Sequence, residues 1–176
     1  GTVTVTPGRT WFINNSSFTQ AAGATLDGGG AMSMNAVNPA SFITAFALSA
    51  LSLAGTTANF ATDITTETLA LSVSNSTVSG PITLTNAATK TLTIAGTSVI
   101  NTPVVNAGTL VVVNGTTLNN SVSTVPGSLL RVQSIGFGGA ALTVATAAGF
   151  TNRGVIELTG TATNGVSLNA NGTLVN

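Results

Sequence analysis

The chain has no cysteine, no histidine and no tyrosine. Without cysteine there are no disulfides and no thiolate metal sites. Without histidine the commonest general base and metal ligand is gone. Charge is scarce too, with 5% of the 176 residues charged, against about a quarter in an ordinary soluble domain. The cations are Arg9, Lys90, Arg131 and Arg153, and the anions are Asp27, Asp63, Glu67 and Glu157. They cancel to a net charge of zero. That leaves no electrostatic footprint for nucleic acid or an anionic membrane surface. The longest apolar stretch, Phe42 to Ala54, is too short to span a bilayer and is broken by Thr44, Ser49 and Ser52.

Hydrophobic residues make up 43% of the chain, so the scarcity of charge does not imply disorder. Thr, Ser, Asn, Gly, Ala and Val dominate. Stability must come from backbone ladders and close packing of small side chains. A surface this poor in charge does little to resist self-association. No signal segment is visible at Gly1-Thr2-Val3-Thr4-Val5, and the expectation is that any leader has been removed or omitted.

The sequence repeats itself. Gly108-Thr109-Leu110-Val111-Val112, Gly127-Ser128-Leu129-Leu130-Arg131-Val132, Gly154-Val155-Ile156-Glu157-Leu158 and Gly172-Thr173-Leu174-Val175 share one template. Each is a turn residue, then an alternating apolar strand, then a tail of Asn, Gly, Ser and Thr. The spacing of roughly 18–26 residues is that of a solenoid with stacked coils. Aligning the apolar pairs gives Leu51/Leu53, Leu69/Leu71, Leu92/Ile94, Leu110/Val112, Leu130/Val132 and Ile156/Leu158. Residues two apart on a strand share a face, so these pairs point into a common interior. The outward column between them reads Ser52, Ala70, Thr93, Val111, Arg131, Glu157, Val175. Arg131 and Glu157 become neighbours on adjacent strands, a favourable pairing of opposite charges.

Two further short strands per coil are expected, with candidates at Ser98–Ile100, Thr116–Leu118, Ala141–Val144 and Gly165–Leu168, and Asn75, Asn101, Asn106, Asn114, Asn119, Asn164, Asn169 and Asn171 at corners. Asn tolerates left-handed backbone and stacks into side-chain ladders. The fold expected is all-β, a parallel β-helix, right-handed by the usual rule for crossovers. Residues 60–176 form the repeats, and residues 1–59 a strand and capping region. Within that region Asn38-Pro39 resembles a helix start. Ala- and Leu-rich residues 39–54 therefore read either as a short helix or as a pair of buried strands.

Repeats such as Ala107-Gly108-Thr109-Leu110-Val111-Val112-Val113-Asn114-Gly115-Thr116-Thr117-Leu118-Asn119-Asn120 resemble the passenger repeats of autotransporters and filamentous-haemagglutinin-type adhesins. The resemblance covers residues 60–176. It implies a secreted, elongated protein of the cell surface, with surface glycans or proteins as partners.

Chemistry is hard to assemble from this inventory. Asp63 and Glu67 are the closest acids in sequence. They read as solvated turn residues rather than as the paired carboxylates of a glycosidase. A serine nucleophile has no histidine to activate it. Asp27, Asp63, Glu67 and Glu157 are too scattered for a cation site. Gly136-Phe137-Gly138-Gly139 lacks the Lys of a phosphate loop. No catalytic residue, cofactor or metal is expected. The pairs Thr66/Thr68, Thr89/Thr91, Thr91/Thr93 and Thr161/Thr163 raise ice binding as a distant alternative, against the plain reading that Thr suits strands. Six sequons, at Asn14, Asn15, Asn75, Asn114, Asn119 and Asn171, offer glycosylation points if the source glycosylates.

The two ends share the strand template, and Asn171–Asn176 reads as the first strand of an unfinished coil. Open strand edges invite pairing. The leading expectation is an extracellular fibre subunit that partners itself head to tail. Its interface would be Thr2, Val3, Thr4 and Val5 against Thr173, Leu174 and Val175. The alternative is a stretch of a rod-like adhesin.

Overall fold

The computed structural model describes residues 1–135, 139–145, 149–160 and 165–176. Among these there is no helix, and the strands pair in parallel as a β-solenoid of about eight turns. Three sheets run along it. The first face holds Thr10–Asn14, Ala31–Asn35, Ala50–Ala54, Ala70–Ser74, Thr91–Ala95, Thr109–Val113, Leu129–Ser134 and Val155–Gly160. The second holds Phe18–Thr19, Ala40–Phe42, Thr57–Phe60, Thr77–Ser79, Ser98–Ile100, Gly115–Leu118, Ala140–Val144 and Val166–Ala170. The third holds Ile64–Thr65, Leu84–Asn86, Val104–Asn106, Val122–Thr124, Phe150–Thr151 and Leu174–Val175. Thr2–Thr4 and Thr25–Asp27 pair with each other and prolong the third face: Leu26 accepts a hydrogen bond from Ala47 N, and Ala45–Leu48 borders Asp63–Ile64 in turn.

Coil length varies because the corners absorb insertions. Leu92 stacks on Leu110, eighteen residues on, and Leu130 on Ile156, twenty-six on. The strands away from the two ends bury alternate residues, as their period of two requires. The first face turns inward two columns: Trp11, Met32, Leu51, Leu71, Leu92, Leu110, Leu130, Ile156, and Ile13, Met34, Leu53, Val73, Ile94, Val112, Val132, Leu158. The members from Met32 to Val132 are buried. Phe42 and Phe60, register partners on the second face, stack on one another along the axis, ring centroids 4.8 Å apart.

Several expectations need correction. Of the two readings of residues 39–54 the helix is overturned and the pair of strands holds, as Ala40–Phe42 and Ala50–Ala54. Ala40 and Phe42 bury alternately, as do Leu51 and Leu53, so stacking on the neighbouring coils outweighs the helix propensity of Ala and Leu. The register of one coil slips by two residues: Leu71 and Val73, not Leu69 and Leu71, stack on Leu51 and Leu53. Leu69-Ala70-Leu71-Ser72-Val73 offers the same alternation in both registers, and the outward residue there is Ser72 rather than Ala70. Val175 is not in the outward column of the first face. It lies on the third face beside Thr151, so Leu174–Val175 closes the eighth coil instead of opening another. Gly1–Val5 likewise follows the first-face template yet sits with the third face. The repeat also runs through the boundary placed at residue 59, since Thr10–Asn14 and Ala31–Asn35 already belong to the first face.

Candidate functional site

In each of the first six coils one residue turns the chain from the first face to the second. Asn15, Ala36, Gly55, Asn75, Gly96 and Asn114 all lie in the left-handed region, with φ between 48° and 65°. Their amides donate along the axis, Asn75 N to Ala95 O and Gly96 N to Val113 O among them. The coils are thus superposed corner on corner, which keeps all three faces in register.

Inside the third face runs a polar column. Thr66 donates to Asn86 Oδ1 (2.9 Å), and Asn86 Nδ2 donates to Asn106 Oδ1 (2.7 Å). Asn106 Nδ2 ends that run on the Leu129 carbonyl. A second run links Thr124, Asn152 and Asn176 through bonds of 2.6 Å. Asn106, expected at a corner, is therefore a fully buried strand residue. Asn169 also lies within a strand rather than at a corner.

The acids do not converge. Asp63 Oδ1 accepts from Thr83 N at 2.8 Å and so ties two coils together. Glu67 is exposed, its amide donating to Thr65 Oγ1. Among the described residues no three acids gather at one place. Arg131 donates from Nε to Glu157 Oε2 at 2.9 Å on the outside of the first face, both side chains more than a third exposed. Exposed pairs of this kind contribute about 0–1 kcal/mol. Asn14, Asn15, Asn75, Asn119 and Asn171 are exposed, and Asn114 is half-buried. The Asn75 amide oxygen accepts from Thr97 N, and Asn119 Nδ2 donates to Asn101 Oδ1.

The threonine pairs do not form ranks. Thr66 is buried and Thr68 exposed. Thr89 is a corner residue with φ 63°. Among the described pairs only Thr91 and Thr93 face outward together. The threonines that do align were missed: Thr57, Thr77, Thr117 and Thr143 stack outward on the second face, with Val99 among them. For Thr57, Thr77 and Thr117 the signal was their place two or three residues after a left-handed corner at Gly55, Asn75 or Asn114. Gly136, Phe137 and Gly138, Thr161, Thr163 and Asn164 lie outside the described residues.

The remaining chemistry is at the ends. At one end Val3, Trp11, Phe18 and Leu26 rim an apolar pit of about 410 Å³, with Trp11 and Phe18 edge to face at 5.9 Å. At the other, Ile156, Val166 and Leu168 are half-buried, while Leu158 and Leu174 are exposed by 52% and 45%. These are the inner columns left uncovered, together with the unpaired backbone of the end strands. Thr2, Val3 and Thr4 are exposed, Val5 is buried, and Thr173, Leu174 and Val175 are exposed.

Comparison with known protein families, with characterised proteins and with solved structures returned no match.

Proposed function

We propose that this chain is a structural rod of an extracellular surface fibre, joined coil on coil through its end rungs. One observation carries the reading. The two inner columns of the first face run unbroken from Trp11 and Ile13 to Ile156 and Leu158 and are open at both extremes. A buried apolar column that ends in solvent, beside unpaired strand edges, is a surface made to be covered. Scarce charge on the faces supports the same reading, because little repulsion opposes association. The resemblance of the Gly-Thr-Leu and Asn-Gly-Thr repeats to secreted passenger repeats supports the extracellular setting.

A second reading, a stretch of an adhesin stalk, is favoured by one feature. The third face spans one level more than the other two, since Thr2–Thr4 lies on Thr25–Asp27 beyond the level of Thr10–Asn14. Further coils of a longer polypeptide would meet no obstacle there.

Negative-stain electron microscopy of the purified chain, without denaturant, separates the readings. A single rod of eight to nine levels is about 40 Å long at ~4.8 Å per level. Filaments many times that length are expected. Uniform single rods at every concentration would overturn the fibre and leave the stalk.

A further inference from the structure

We infer that copies of this chain join by strand exchange, Leu174–Val175 of one copy displacing Thr2–Thr4 from the Thr25–Asp27 edge of the next. The inference rests on the fibre reading above and specifies its joint. It begins from a conflict of levels. A second copy laid with Val155–Gly160 against Thr10–Asn14, and Val166–Ala170 against Phe18–Thr19, continues the first and second faces without a gap. Its third-face strand, Leu174–Val175, then falls on the level already held by Thr2–Thr4. If Thr2–Thr4 keeps its place and stacks on Leu174–Val175 instead, one level stays empty on both other faces. That leaves Trp11, Ile13 and Phe18 uncovered. Burial of apolar surface therefore favours displacement.

The two strands are chemically interchangeable at that place. Thr2-Val3-Thr4 and Thr173-Leu174-Val175 share a pattern, Val3 stacking on Leu26 as Leu174 stacks on Phe150. Leu174 brings one methylene more than Val3. The other inner columns meet in compatible sizes, with Ile156 over Trp11, Leu158 over Ile13 and small Ala170 over Phe18. The resident strand is also weakly held. All three of its residues are exposed, and one side-chain bond, Thr25 Oγ1 to Thr2 Oγ1 at 2.8 Å, supplements its ladder. Val5 is its anchor: it is buried, and Gly28 and Gly30 pack so closely on it that a Cβ at Gly30 would lie 2.6 Å from Val5 Cγ1. Residues 1–4 can leave while Val5 stays.

A chain without cysteine permits a clean lock. Thr2 and Thr25 are directly paired, within the Cα separation a disulfide spans. The double variant Thr2→Cys/Thr25→Cys is compared, oxidised and reduced, with the unaltered chain by electron microscopy and sedimentation. Circular dichroism checks that each stays folded. The oxidised form is expected to remain single rods and to assemble once reduced. Deleting residues 1–4 is expected to speed assembly. Filaments from the oxidised form, or a deletion that abolishes them, would overturn the exchange while leaving the fibre intact. No filaments from the unaltered chain would bring down the fibre reading and the exchange with it.

Discussion

At the scale of single residues, the left-handed corner decides what each position tolerates. An L-residue with a Cβ is strained there by about 1–2 kcal/mol. Asn at positions 15, 75 and 114 and Gly at 55 and 96 are the residue types that accept it, while Ala36 carries the strain. Gly96 has a second constraint, because a Cβ built on it would lie 2.1 Å from Asn75 Oδ1, the atom that accepts from Thr97 N. Gly96→Ala should therefore cost about 1–3 kcal/mol through strain and a lost inter-coil bond. The fall in urea midpoint, at unchanged slope, measures it. A midpoint equal to that of the unaltered chain would mean that the corner is not rigid.

At the scale of elements, the buried amide column is the feature most exposed to mutation. Asn106→Leu removes the acceptor of Asn86 Nδ2 and the donor to the Leu129 carbonyl. Each orphaned buried group costs about 1–3 kcal/mol, whereas replacing both partners by apolar groups is much milder. The pair Asn86→Leu/Asn106→Leu should thus lose less stability than the two single changes added together, and thermal unfolding of the three variants tests it. The same column shows where the sequence was legible and where it was not. The first face could be read because Leu92/Ile94, Leu110/Val112 and Leu130/Val132 stand as apolar pairs against polar neighbours. A third strand per coil was expected, but its residues were not found, because its inner positions alternate an apolar residue with Asn or Thr, as in Leu84-Thr85-Asn86 and Val104-Val105-Asn106. That pattern looks like a corner until the amides are seen to satisfy one another. Residues 39–54 were ambiguous for a related reason: Ala and Leu serve helix and buried strand alike, and only pairing with neighbouring coils decides. The open ends were legible as apolar templates, but their face was not, since Gly-Thr-Leu-Val begins strands of the first face and of the third.

At the scale of the whole molecule, every ladder runs in one direction. The hydrogen bonds between coils point along the rod, and among the described residues no strand crosses from one end to the other to brace it. A force pulling the two ends apart therefore runs along those bonds and can peel the outermost coil from its neighbour, instead of shearing many strands at once. Each coil should come away separately, releasing 18 to 26 residues, or about 60–90 Å of extended chain. Single-molecule stretching should record a train of small, similar force peaks at those increments, where a protein that unfolds as one cooperative unit would give a single large one. The stacking that makes the rod stiff against bending would thus make it yield lengthwise in short steps, each dissipating part of the pull.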